Sequence, residues 1–126
     1  MNASLTYYED LVVAILAVNN YSLEKAYGLR TGLKKQGCFD PAKVRSWSHE
    51  EAVRHLVQAG YDRGATMNSI FAGRVQELAI FEESQVLVQA WKHLALGQKT
   101  DADRILLSIP GVGPTVLGHF WALQQV

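Results

Sequence analysis

The sequence predicts an all-α chain, a compact bundle of seven to eight short helices. Three observations carry that prediction. Apolar residues recur three and four positions apart through most of the chain, the spacing that lines one face of a helix. Several of these runs open on a capping residue or a first-turn proline and close on glycine. No window shows the strict apolar–polar alternation of a half-buried strand. At 126 residues, 48% of them apolar, the chain has the size of a single domain, residues 1–126, with enough apolar surface for a core.

The elements follow in order. Tyr8, Leu11, Val12, Ile15 and Leu16 give one apolar stripe, so a core-facing helix is expected from about Leu5 to Val18. Asn19 and Asn20 interrupt it. Ser22 is a candidate cap for a second helix carrying Leu23, Ala26, Tyr27 and Leu33, with Gly28 and Gly32 weakening it. Three glycines and a basic cluster between Gly28 and Pro41 suggest a mobile surface corner. Asp40-Pro41 caps a short helix ending near Arg45. Ser48-His-Glu-Glu51 is a capping box, in which the serine and the N3 glutamate satisfy each other's unpaired donors. The helix behind it buries Ala52, Val53, Leu56 and Val57 and stops at Gly60. A longer helix follows from Arg63, with Met67, Ile70, Phe71, Val75 and Leu78 inward. Ser84 is placed to start the next, with Leu87, Ala90, Trp91 and Leu94 inward and Gly97 beyond its end. Thr100-Asp-Ala-Asp103 reads as another cap with a carboxylate at N3.

The last stretch, about residues 101–124, is a helix, a tight turn and a helix. Ile105, Leu106 and Ile109 form a stripe that must stop at Pro110, which lacks an N–H and clashes with a preceding turn. Gly111 and Gly113 flank Val112 and let the backbone reverse. Pro114 suits the first position of a new helix, whose stripe is Leu117, Phe120 and Trp121. The first N–H groups of that helix lack partners and carry the positive end of its dipole. Such a turn can bind a phosphate through main-chain donors without reading any base. The candidate backbone-binding residues are Pro110, Gly111, Val112, Gly113 and Thr115.

Composition limits the strength of any such binding. The 12 basic and 12 acidic side chains leave no net charge, and affinity for DNA comes largely from phosphate neutralisation. Weak, non-specific binding through a local patch is expected. The N-terminus lacks the basic and apolar regions of a signal peptide, and no segment is apolar over the length of a membrane span. The single cysteine, Cys38, has no internal disulfide partner, which fits a cytoplasmic setting. None of the four histidines makes a His-x-x-x-His pair or neighbours Cys38, so no metal site is expected. Arg30, Lys34 and Lys35 with Lys25 read as a solvated basic face, and Trp91, Phe120 and Trp121 as core aromatics.

The turn Leu107-Ser-Ile-Pro-Gly-Val-Gly113 resembles the helix-hairpin-helix DNA-binding motif, from Leu107 to about Phe120. Upstream residues narrow the resemblance. Ala14-Ile-Leu-Ala-Val-Asn-Asn-Tyr-Ser-Leu-Glu-Lys-Ala26 is similar to the early helix pair of the helix-hairpin-helix DNA glycosylases, with Asn19 and Asn20 where the 3-methyladenine branch has two glutamines. Leu56-Val-Gln-Ala-Gly-Tyr-Asp-Arg-Gly-Ala-Thr-Met-Asn-Ser-Ile70 is similar to the family's next segment. The resemblance spans roughly Tyr7 to Gln124 and implies a helical core whose hairpin holds the backbone of a damaged strand. It also implies that Asn19 and Asn20 face DNA. Arg104, the arginine next to the hairpin, and His119, one turn into its second helix, join them as candidate DNA-facing residues. In the family, carbonyls around the turn bind K+ or Na+; the matching ones are those of Leu107, Ile109 and Val112.

The departures concern catalysis. The family's aspartate lies beyond the second hairpin helix, whereas the last carboxylate here is Asp103, before the hairpin. The position of the bifunctional members' lysine is Thr115, and no lysine follows Lys99. One cysteine cannot bind the iron–sulfur cluster of other members. Asp62, Glu77 and Glu82 read as solvated helix ends and faces. No catalytic residue is therefore assigned. The expectation is a non-catalytic DNA-binding domain linked to base-excision repair. The alternatives are an active glycosylase using an unrecognised acid or a partner subunit, and a protein-interaction domain, such as a homodimer, that does not bind DNA.

Overall fold

The computed structural model describes residues 3–18, 21–83 and 85–124, and side chains from residue 6 onward within them. These residues are all-helical, without a strand. Nine helices are described: α1 (Ala3–Leu16), α2 (Leu23–Gly28), α3 (Arg30–Gln36), α4 (Pro41–Ser46), α5 (His49–Ala59), α6 (Ala65–Glu83), α7 (Val86–Ala95), α8 (Lys99–Leu106) and α9 (Pro114–Gln124). Among the described residues, no helix is long and apolar enough to cross a membrane.

α1 is the central element and packs against α2, α6, α7 and α9. The expected stripe of Tyr8, Leu11, Val12, Ile15 and Leu16 is buried, and so are Val13 and Ala14 on the other side. A helix apolar all round is one enclosed all round. Around it, α3 and α6 flank α5, α4 lies on α6, and α7 pairs with α8.

The three caps expected upstream form. Ser22 Oγ accepts the N–H of Lys25 at 3.1 Å, and Asp40 Oδ1 accepts that of Lys43 at 3.3 Å. In the capping box the N–H of Glu51 donates to Ser48 Oγ at 3.1 Å, and the N–H of Ser48 donates to Glu51 Oε1 at 2.9 Å. Gly60, at φ 110°, closes α5 in the left-handed conformation.

Other expectations are corrected. The second predicted helix is two, because Gly28 ends α2 and Leu29 serves as both its C-cap and the N-cap of α3. The segment from Gly28 to Pro41 is no surface corner: Leu33, Cys38 and Phe39 are buried, and Gly32 fits against the Ala59 carbonyl of α5. On α6, Ile70 is 45% exposed, and Asn68 takes an inward place instead. Asn68 Oδ1 accepts the N–H of Arg63 at 2.8 Å while its Nδ2 donates to Asp62 Oδ1 at 2.9 Å, so this buried amide knits the turn before α6. The Ser84 start lies outside the described residues; the N-cap of α7 is Gln85, at φ 71°. α8 begins at Lys99 with Gln98 as an N-cap that makes no side-chain capping bond, and Asp103 is engaged with Trp121. α8 also ends at Leu106 rather than running to Pro110. Both the N–H and the hydroxyl of Ser108 donate to the Ile105 carbonyl, at 3.0 and 2.6 Å, and that competition tightens the last turn early.

Candidate functional site

α8 and α9 are joined by Leu107–Gly113, and the turn is anchored from inside. Ile109 and Val112 are buried in the core, and the N–H of Val112 donates to the Ile109 carbonyl at 3.0 Å. Gly111 lies between them at φ 88°, a left-handed conformation that strains other residues. Pro114 opens α9, and the N–H of Leu117 is its first to find a partner, the Gly113 carbonyl at 2.9 Å. The N–H groups of Gly111, Gly113, Thr115 and Val116 donate to no acceptor among the described residues. Those of Thr115 and Val116 are unpaired donors expected at the start of a helix, and the other N–H groups of the turn, on Leu107, Ser108, Ile109 and Val112, are bonded.

The two glycines differ. A β-carbon on Gly113 would meet nothing within 4 Å, so the backbone there stands in open space. A β-carbon on Gly111 would fall on the side chain of Arg74, which crosses from α6.

Two cavities flank the start of α9. One, of about 400 Å³, is lined by Val18, Ile70, Phe71, Arg74, Thr115 and Val116 together with Gly111. The other, of about 380 Å³, is lined by residues 17–18 and 21–23 and by Thr115 and His119. They share Val18 and Thr115, so the two adjoin at the first turns of α9, with Val18 and Tyr21 on one bank. Arg63 holds that bank: its Nη1 donates to the Val18 carbonyl at 2.8 Å, and its guanidinium lies 5.1 Å from the Tyr21 ring centroid.

The structure therefore puts Thr115 in both cavities, Gly111 in one, His119 in the other and Arg104 in neither. Arg104 is exposed and sits 3.8 Å from Asp101 on its own helix. Pro110 is exposed, and the side chain of Val112 is turned into the core. Asn19 and Asn20 lie outside the described residues, although Val18 and Tyr21 on either side of them line the second cavity. Of the three carbonyls considered for a monovalent cation, that of Ile109 accepts the Val112 N–H, while those of Leu107 and Val112 accept no backbone donor. Oxygen donors of this kind suit a hard cation.

Arg74, which lines one cavity, and Arg63, which holds Val18 beside both, are the residues that sequence reasoning missed. Arg74 follows Phe71 by three positions, which puts it at the border of the apolar face of α6; that border position was the available signal.

The remaining chemistry-bearing groups serve the fold. Asp62 accepts from Asn68 and Gly64, which hold its carboxyl below the usual aspartate range. Glu82 pairs with Arg45 at 2.9 Å. Burial pushes the Cys38 thiol up to about 12, which leaves it inert at neutral pH. Of the basic face, Arg30 is bound to Glu9 and Asp10 at 3.0 and 2.9 Å, a partner set across the fold rather than a solvated position.

No protein family, curated protein or solved structure matches the chain in comparisons with known proteins.

Proposed function

We propose that the chain is a DNA-binding domain related to the helix-hairpin-helix glycosylases. In this reading it holds the phosphate backbone of one strand at the turn before α9, with little sequence preference. The observation that carries this is the set of undonated N–H groups on Gly111, Gly113 and Thr115, on a turn rigidly fixed by Ile109 and Val112. Backbone contacts carry no base code, so one duplex should serve nearly as well as another. His119 adds a second polar contact one turn along α9. A K+ or Na+ on the carbonyls of Leu107, Ile109 and Val112 would bring a further positive charge to the same phosphate. With no acid assigned beyond the hairpin, base release is not part of the proposal. A cytoplasmic role beside base-excision repair fits it.

The test is Gly113→Val. Its β-carbon meets nothing in the fold, so helicity should be unchanged, while the new side chain stands where a phosphate would approach. Loss of binding to a labelled duplex containing an abasic site, with an unaltered far-UV spectrum, is the expected result. Undiminished binding by the variant would sink the proposal. Base release by the wild type would replace it with the glycosylase reading.

A second reading, a protein-interaction domain, draws on one observation. A cavity of about 360 Å³ between α2 and α9 is lined by Leu23, Tyr27, Ala122 and Leu123 with Glu24, and Tyr27 is 46% exposed. Dimerisation in sedimentation without DNA would favour it.

A further inference from the structure

We infer that Arg74 of α6 is a second ligand for the phosphate, acting from outside the hairpin; this rests on the turn being the phosphate site. The first ground is pairing. Arg30, Arg45, Arg54 and Arg104 each face a carboxylate, and Arg63 is bonded to the Val18 carbonyl. Arg74 has no ion pair or hydrogen bond among the described residues, although its side chain is partly buried. Arg74 is thus the arginine left without a protein partner among the described residues, and a phosphate would supply a charge-assisted one.

The second ground is placement. A β-carbon on Gly111 would stand 2.7 Å from Cδ of Arg74, 3.0 Å from Nη1 and 3.4 Å from Nε. The stem of Arg74 thus lies on the bare backbone of Gly111, and Arg74 lines the same cavity as Thr115 and Val116. Glycine at 111 has two tasks: it takes φ 88° and it leaves room for this arginine. The third ground is charge. Among the described residues, no carboxylate lines the cavity that Arg74, Gly111 and Thr115 share. In a chain of zero net charge, affinity for a polyanion needs such a local concentration of donors. The planar fork can hold two oxygens of one phosphate while the main chain holds the others.

The experiment is anisotropy of a labelled duplex over a range of salt concentrations with five variants. Arg74→Gln keeps most of the stem over Gly111 and removes the charge; Arg74→Ala removes both. Each should weaken binding about tenfold and lower the salt slope by about 0.9, the share of one phosphate contact. Arg74→Lys should keep the slope and recover part of the affinity, since it retains charge without the fork. Arg104→Ala, which removes an arginine already paired with Asp101, should bind as wild type. Arg74→Gln with unchanged affinity and slope would overturn the inference, and Gly113→Val losing binding in the same series would show that the turn reading stands without it. If Gly113→Val also binds as wild type, or the wild type does not bind at low salt, both fail.

Discussion

The indole N–H of Trp121 on α9 donates to Asp103 Oδ1 on α8 at 2.7 Å, and this bond ties the two arms of the hairpin together. The arms otherwise lean on different neighbours, α8 on α7 and α9 on α1. Lys99 completes the clasp, with its ammonium 3.5 Å from Asp103 Oδ2 and 4.8 Å from the Trp121 ring centroid. A hydrogen bond to a carboxylate contributes about 1.5–3 kcal/mol when it is shielded, and Asp103 is partly shielded. Asp103→Ala should therefore lower stability by about 1–2 kcal/mol, read from urea midpoints. It should also weaken phosphate binding at the turn, because the angle between the arms loosens. A variant with wild-type stability would show that the clasp is incidental.

Gly32 is the sharpest steric site in the fold. A β-carbon there would press on the Ala59 carbonyl, where α3 crosses α5. The atom in the way is backbone and cannot rotate aside. In an exposed helix Gly→Ala stabilises by about 1 kcal/mol. Here Gly32→Ala should instead destabilise by about 2–3 kcal/mol, as overpacking does. Gly28→Ala is the control, since its β-carbon would meet nothing within 4 Å and Gly28 lies within α2. It should be neutral or stabilising. If both substitutions behave alike in thermal unfolding, the close approach of α3 to α5 is wrong.

These two cases mark what the sequence makes legible. The caps at Ser22, Asp40 and Ser48 can be read because donor and acceptor lie three residues apart, within one local conformation. So can the turn before α9, whose glycines and prolines constrain the backbone on their own. Asp103 cannot, because its partner is 18 residues away and draws it from the capping role that its spacing suggests. Gly32 reads as a weak point in a helix, and only the crossing with α5 shows that it is required. Arg74 belongs to the same class. Its significance comes from its contact with Gly111, which is distant in sequence, so its border position on α6 alone does not reveal it. α1 differs again: its stripe is legible, but its burial on every side depends on four neighbouring helices.

Asp10 gives the fold a pH dependence with a definite sign. It is 4% exposed, bound by Arg30 Nη1 at 2.9 Å and by Gln124 Nε2 at 2.5 Å, and so joins α1, α3 and α9. Burial raises its pKa above the ordinary 3.8, and Arg30 offsets only part of that. The folded chain therefore holds this proton more tightly than the unfolded chain does. The contribution is fully present below pH 3.8 and is lost as pH rises through the folded value. Asp10→Asn cannot ionise, so its stability relative to wild type should rise with pH across that window, as judged by urea midpoints. Arg30→Met should act oppositely, costing about 1–3 kcal/mol at neutral pH and less in acid, where Asp10 is protonated. A wild-type-minus-Asn difference that grows with pH would reverse the assignment.

Tyr8 offers a stabilising substitution. Its ring is 2% exposed at the centre of the bundle, and its hydroxyl has no hydrogen-bond partner among the described residues. Burial, with Glu82 nearby, pushes the phenol above its usual range, so it stays protonated at any ordinary pH. The O–H is then a neutral donor without an acceptor. A buried polar group left unpaired costs about 1–3 kcal/mol, whereas the ring itself contributes through apolar burial. Tyr8→Phe removes the hydroxyl, keeps the ring and leaves a gap of one oxygen. Stability should rise by about 1 kcal/mol, or stay unchanged if the small gap offsets the gain. The comparison is a urea titration of the two proteins at neutral pH. A loss of 1 kcal/mol or more on making this change, about the worth of one hydrogen bond, would mean that the hydroxyl is bonded after all.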